Sequence, residues 1–381
     1  MTEADDGQRE SETPSAGWRR PLMAIVQIGG FLGGIGLLVW VVSAALSPEN
    51  RQLLERLGDA TPMQIVLLLF CSVATLVLNG SIFWVTLLPE KRVRHLDIQA
   101  TNAIATLLSY LPFKLGLIFR IVVHNRRDAV PLLTIGAWYM AMFALIATNL
   151  GPPVGASLLL QGVDGVWWTL TLGGVVVLTS LLVLVSWPLS GDKGMARIHR
   201  VLDPIPVPPL HTFMRTESFA RVHAGFGMLA HPWASFWATV MRLSDIAAQT
   251  ARFVIAAQIL GIDMGWETAT LIATSYFMIG LISPFGMIGT REGGTLGLQA
   301  LLGIELASAG EGDPMALIIL FVSATESIAF FAGAGFGVVW LRADRLLMNR
   351  AGADPDESSA PNVPSPDADR PGPTEPDRRR P

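Results

Sequence analysis

The sequence predicts an all-α, polytopic membrane helix bundle with about six full crossings and two re-entrant hairpins. Three observations carry that prediction. Hydrophobic residues make up 51% of the chain and charged residues only 15%, against about a quarter charged in an ordinary soluble domain. Uncharged apolar runs recur at 21–46, 62–88, 129–150, 166–189 and 314–341. Each reaches the ~20 residues that a helix rising about 1.5 Å per residue needs to cross ~30 Å of hydrocarbon. Finally, Lys and Arg gather in short loops, as the positive-inside rule requires of cytoplasmic loops.

Along the chain, residues 1–18 form a polar leader that cannot bury a core. The run that follows is too long, and its leader too acidic, for a cleaved signal peptide. Cys71, the single cysteine, lies inside the second run, which excludes a disulfide framework or thiolate metal site. Segment 97–124 is apolar but broken by Pro112, Lys114, Gly116 and Arg120. Read as one crossing, it would put the uncharged loop 151–165 inside and the basic loop 190–231 outside. Read as a hairpin entering from the cytoplasm, it places Lys91, Arg92, Arg94, Arg126 and Arg127 inside, with Lys193, Arg197, Arg200, Arg215 and Arg221 beside them. Residues 213–229 carry Phe213, Phe219, Phe226 and Leu229 among basic residues, the pattern of an amphipathic helix on the cytoplasmic surface.

Segment 232–260 is long enough to span yet contains Arg242, Asp245, Gln249 and Arg252, all within about a quarter-turn of one helix face at 100° per residue. Charges on a lipid-facing stripe would each cost roughly 2.5–3.5 kcal/mol, so the stripe must face protein or a cavity. Asp245 is expected to pair with Arg242. Glu326, the lone charge deep in 314–341, is the expected partner of Arg252. Its helix also carries Gly333 and Gly337, which admit a neighbouring backbone. The stripe suits a static salt-bridge network, a hydrated cavity for a charged headgroup, or an ion relay.

Segment 267–303 is broken by Pro284, Gly286, Gly289, Arg291 and Glu292. The charge rule places its entrance outside and both chain termini in the cytoplasm. The membrane domain is thus expected over 19–345, followed by a Pro- and Asp-rich tail over 351–381. In that tail Asp367 and Asp369 form a chance DxD. The Trp residues at 167, 168, 187 and 340 are expected at water–lipid boundaries. The six histidines lack metal-ligand spacing, and no phosphate-binding GxxxxGK[ST] motif occurs, so no metal or cofactor and no nucleotide is predicted.

The two broken segments resemble each other. One reads Pro112-Phe113-Lys114-Leu115-Gly116 with Arg120 beyond; the other reads Pro284-Phe285-Gly286-Met287-Ile288-Gly289 with Arg291 beyond. Proline ends one half-helix and glycine permits the reversal. The next half-helix then begins with exposed N–H groups near an arginine, a combination suited to an anion. Entry from opposite faces makes the pair an inverted repeat of the kind that places transporter sites at the midplane. So short a match also recurs by chance in Pro- and Gly-rich loops; its agreement with the charge topology argues for a repeat.

At these residues the chain resembles the lysylphosphatidylglycerol synthase transmembrane region, the flippase-like integral membrane family. Leu111-Pro112, Gly116 and Arg120 match that family's first pattern. Gly286, Gly289, Arg291 and Glu292 match its second. Leu117 stands where the family often has an acid, and Phe285 and Met287 replace a proline and a glycine. The resemblance implies a multi-pass protein of the cytoplasmic (inner) membrane that moves or binds a phosphate-bearing lipid or polyprenyl-linked headgroup. In that reading the chain is not an enzyme. Arg120, Arg291, Lys114 and the glycines Gly116, Gly286 and Gly289 hold the substrate, while Arg242, Asp245, Gln249, Arg252, Glu292 and Glu326 line or gate a cavity. The competing readings are a non-catalytic membrane partner of a lipid or glycan biosynthetic enzyme and a membrane-embedded transferase, whose metal-binding acidic pair or nucleophile–base pair is not found in the sequence. The expected protein partners are a biosynthetic enzyme or a second copy of the chain, as a homo-oligomer. None of these readings involves nucleic acid.

Overall fold

The computed structural model describes residues 16–160, 162–202, 216–304, 306 and 313–342. The leader up to residue 15, the tail with its DxD, and Phe213 lie outside them. Residues 16–18 open the first helix.

The described residues are helical, with no strand among them. In chain order the helices are α1 (Ala16–Ala45), α2 (Arg51–Leu57), α3 (Pro62–Leu87), α4 (His95–Leu108), α5 (Leu115–Arg126), α6 (Leu132–Leu159) and α7 (Gly165–Leu189). They continue with α8 (Gly191–Leu202), α9 (Glu217–Ala230), α10 (Pro232–Ile259), α11 (Trp266–Ile282), α12 (Thr290–Leu301) and α13 (Pro314–Leu341). Five stretches are long and apolar enough to cross a membrane: 25–45 within α1, then α3, α6, α7 and α13. Their outer faces carry Phe70, Val176, Phe331 and Val339, all more than half exposed. Such surfaces are stable against lipid and costly against water.

α3 begins with a capping box: Thr61 accepts from the Gln64 N–H while the Gln64 side chain accepts from the Thr61 N–H. α6 runs to Leu159, past the apolar run's expected end at 150, and carries Pro152 and Pro153 inside it. The Pro152 ring packs where Gly174 of α7 has no side chain, so the neighbouring helix makes room for it. α7 itself contains a π turn at Thr169–Gly173. The basic segment 190–231 is folded into α8 and α9 on either side of the undescribed stretch. α9 packs on α6 and α7, and its Met228 and Leu229 join the core around Trp138 and Ile82. Of the expected boundary tryptophans, Trp167 is buried and donates to Ser157 Oγ, while Trp340 donates to Asp97 Oδ1 at 2.8 Å.

Both broken segments form helix–break–helix hairpins, α4–α5 and α11–α12. With 14, 12, 17 and 12 residues, their arms span only about 18–26 Å at 1.5 Å per residue, short of the hydrocarbon thickness. The two tips meet. The Met287 N–H donates to the Ser109 carbonyl at 3.1 Å, and Lys114 Nζ donates to the Leu281 carbonyl at 2.9 Å. Close approach is secured by glycine on every side. α1 lies against the second hairpin through Gly30, beneath the Phe285 ring, and Gly34, beneath the Ile288 and Gly289 backbone. α13 meets α4 where Gly337 faces the Ala100 carbonyl and Gly333 faces Ala103, the close backbone approach that its glycines anticipate.

Gly289 is the tightest of these positions. Its φ is +70°, and a Cβ there would collide with the Gly34 carbonyl. Gly289→Ala therefore combines a left-handed strain of about 1–3 kcal/mol with a backbone clash that cannot rotate away. The expected result is a clear drop in the melting temperature of the purified protein, with helix content retained. An unchanged melting curve would mean that α1 does not press on this tip.

Candidate functional site

The site is best built from the charged face of α10. Arg242 Nη1 donates to Asp245 Oδ2 at 2.6 Å, and Gln249 Nε2 donates to the same oxygen at 3.0 Å. One turn further, Arg252 forms an ion pair with Glu326 of α13 at 2.9 Å. Both pairs expected from the sequence, one from helical spacing and one from the lone charge of 314–341, are present. Glu326 also takes Arg291 Nη1 of α12 at 2.8 Å. One carboxylate thus serves two guanidinium groups, and all three side chains are no more than 5% exposed.

Arg291 has further partners. Its Nη2 donates to the Tyr110 hydroxyl at 2.9 Å and contacts Glu292 Oε1 at 3.2 Å. Its guanidinium carbon lies 4.0 Å from the Tyr276 ring centroid. Ser323 donates to Glu292 Oε1 at 2.7 Å. Glu292 Oε2 accepts the Gly289 N–H at 2.8 Å, which caps α12. The N-terminus of α12 is thus occupied from within the protein. The positive end of α12 and the adjacent arginine do attract an anion, but the anions are the protein's own Glu292 and Glu326. Gly286 and Gly289 serve close packing and φ values of +104° and +70° rather than lining the main cavity.

The first hairpin is different. Phe113 and Lys114 both take left-handed conformations, with φ of 66° and 52°, at the start of α5. Each costs about 1–3 kcal/mol and persists only because the surrounding structure holds it there. Lys114 is the N-cap of α5 and supplies no side-chain cap. Gly116 lets this tip close, because a Cβ would strike the Ala105 carbonyl and Ser109 Oγ. Arg120 donates to Asn102 Oδ1 at 2.5 Å and stacks 4.0 Å from the Phe83 ring centroid. Among the described residues neither Lys114 nor Arg120 has a carboxylate partner.

These groups border one cavity of about 500 Å³. Lys114, Gly116, Arg120, Arg242, Gln249, Arg291 and Glu326 all line it, so most of the residues singled out in sequence converge there. Asp245 and Arg252 stand behind the wall, each holding a lining group. Where the cavity reaches the surface its lining is apolar and exposed, at Leu117, Phe143 and Ile282 of α5, α6 and α11. A second cavity of about 480 Å³ touches Tyr110, Gly289, Glu292 and Ser323. The Arg291 cluster therefore has a cavity on each flank: Arg291, Tyr276 and Glu326 face one, and Tyr110, Glu292 and Ser323 face the other.

Sequence reasoning missed the aromatic and amide partners. The chain contains three tyrosines, and all three are here: Tyr139 and Tyr276 on the main cavity, Tyr110 on the second. That scarcity was the available signal, since in a membrane protein tyrosine otherwise favours the interfacial belts. Asn102, buried in mid-helix, was the other. Among the described residues, no group of three or more His, Cys, Asp or Glu side chains could hold a metal. Comparison with family models, with curated proteins and with solved structures finds no match to this chain.

Proposed function

We propose that this protein is a membrane flippase-like carrier that binds a phosphate-bearing lipid in the main cavity and passes it between leaflets of the cytoplasmic membrane. The observation that carries the reading is the pair Lys114 and Arg120. Both sit on the wall of a cavity inside an apolar bundle, and both have only neutral partners. An embedded charge is expensive and tends to mark a substrate path. Here the missing counter-charge has to come from a ligand. The exposed apolar mouth supplies the second half: a headgroup can enter between α5, α6 and α11 while its chains stay in lipid. The resemblance to the flippase-like family supports the same reading.

In this proposal α10 is the sixth crossing, despite the three charges that keep its mean hydropathy low. The two hairpins are re-entrant, from opposite faces, and both termini are cytoplasmic. The touching tips then lie near the midplane, as in inverted-repeat transporters. Movement requires the tips to part and the arginines to exchange carboxylates.

The test is fluorescent-lipid scrambling in proteoliposomes. A charge-assisted hydrogen bond is worth about 1.5–3 kcal/mol, so Arg120→Gln is expected to slow movement of a phosphate lipid by about tenfold or more. The Arg242–Asp245 pair is untouched by this change, and the protein should still fold. If wild type moves none of a panel of anionic, zwitterionic and polyprenyl-phosphate lipids, the carrier reading fails.

A further inference from the structure

Building on the lipid-phosphate reading, we infer that the headgroup is at least a dianion: a lipid phosphate monoester or diphosphate, not a singly charged phosphodiester or a zwitterion. The inference comes from the charge inventory of the cavity and its supporting network. Arg242 is matched by Asp245. Arg252 and Arg291 are matched by Glu326 and Glu292. Three arginines against three carboxylates leave that half of the site neutral.

The first hairpin is not balanced. Lys114 donates to a backbone carbonyl, and Arg120 to an amide oxygen and a ring face. These partners orient the two cations without neutralising them. The site therefore carries an excess of two positive charges among the described residues, both on one hairpin. They are six positions apart, about 9 Å along a helix axis, a spacing that two long side chains close easily onto one group.

The wall beside these cations also holds unused hydrogen-bonding capacity. Thr75 is 8% exposed, lines the cavity, and its Oγ1 has no partner. The Tyr139 hydroxyl lies beside Arg120 yet forms no aligned hydrogen bond. A terminal phosphate offers three acceptor oxygens and a charge near −1.5 to −2 at neutral pH. That matches two cations and two hydroxyl donors. A phosphodiester offers one charge and leaves one cation uncompensated. A zwitterion adds a further cation to a site already in excess.

The experiment is equilibrium binding to the full chain in phosphatidylcholine nanodiscs, using dioleoyl phosphatidate, farnesyl diphosphate, dioleoyl phosphatidylglycerol and inorganic diphosphate. Phosphatidate and farnesyl diphosphate are expected to bind at least about tenfold more tightly than phosphatidylglycerol, the effect of roughly one charge-assisted contact. Lys114→Met and Arg120→Gln should each compress that ratio to about threefold or less. Arg120→Lys, which keeps the charge, should preserve it and so reports on folding. Equal binding of phosphatidate and phosphatidylglycerol overturns the dianion inference and leaves the lipid-phosphate reading intact. Inorganic diphosphate binding as tightly as the lipids removes the lipid and overturns both. Binding of none of the four also overturns both.

Discussion

Glu326→Ala is expected to leave little folded protein. Glu326 is 4% exposed and holds Arg252 and Arg291, which are 1% and 2% exposed. Breaking a buried ion pair by removing one partner costs about 3–5 kcal/mol, because the other charge stays buried and uncompensated. Here one deletion removes the ion-pair partner of Arg252 and leaves Arg291 with only Glu292. The loss approaches the whole stability of an ordinary domain, about 5–15 kcal/mol. Tyr276, whose hydroxyl lies 3.3 Å from Glu326 Oε2, cannot replace the charge. The measurement is the yield of monodisperse protein by size-exclusion chromatography, followed by its melting curve. Glu326→Leu combined with Arg252→Met should recover much of the loss, since the pair is exchanged for apolar groups of similar volume and Arg291 keeps Glu292. A stable, monodisperse Glu326→Ala protein would show that the carboxylate does not bind the bundle together.

That network also shows how far the sequence could be read. Arg242–Asp245 and Arg252–Glu326 were legible because helical periodicity and the cost of embedded charge leave few alternatives. The two hairpins were legible because proline, glycine and charge interrupt apolar stretches at corresponding places. Which hairpin keeps its positive charge free was not legible. Both carry an arginine beyond a Pro-Phe turn, and the difference lies in tertiary partners: Glu292 folds back onto its own helix N-terminus, while Lys114 and Arg120 find only neutral groups. The extent of α6 was hidden for a related reason. The apolar run ends at 150, just before Pro152 and Pro153, residues unfavourable inside a helix, and the space left by Gly174 on the next helix accommodates the Pro152 ring.

In the proposed carrier, joining the two hairpin tips is expected to stop transport reversibly. The tips are held by the Met287 N–H bond to Ser109, by Lys114 on the Leu281 carbonyl, and by Arg291 on Tyr110. Gly286 lies so close to the Tyr110 and Leu111 carbonyls that a Cβ would have to displace them. Nothing as large as a phosphate passes between the flanking cavities while these contacts last. Cys71 is the chain's single cysteine, so Cys71→Ser gives a background on which Ser109→Cys and Met287→Cys can be bridged by a short bifunctional thiol reagent. Packed interfaces switch between discrete arrangements rather than stretching. A single covalent bridge should therefore cut scrambling by about tenfold or more, the effect of removing roughly 1.4 kcal/mol or more of access to the open state. Reduction of the bridge should restore the rate, and each single-cysteine protein should be insensitive to the reagent. Full-rate transport by the bridged protein would mean that the substrate does not pass between the tips. The route would then run along the apolar mouth at Leu117, Phe143 and Ile282, with the hairpins as a fixed scaffold that presents Lys114 and Arg120 to it.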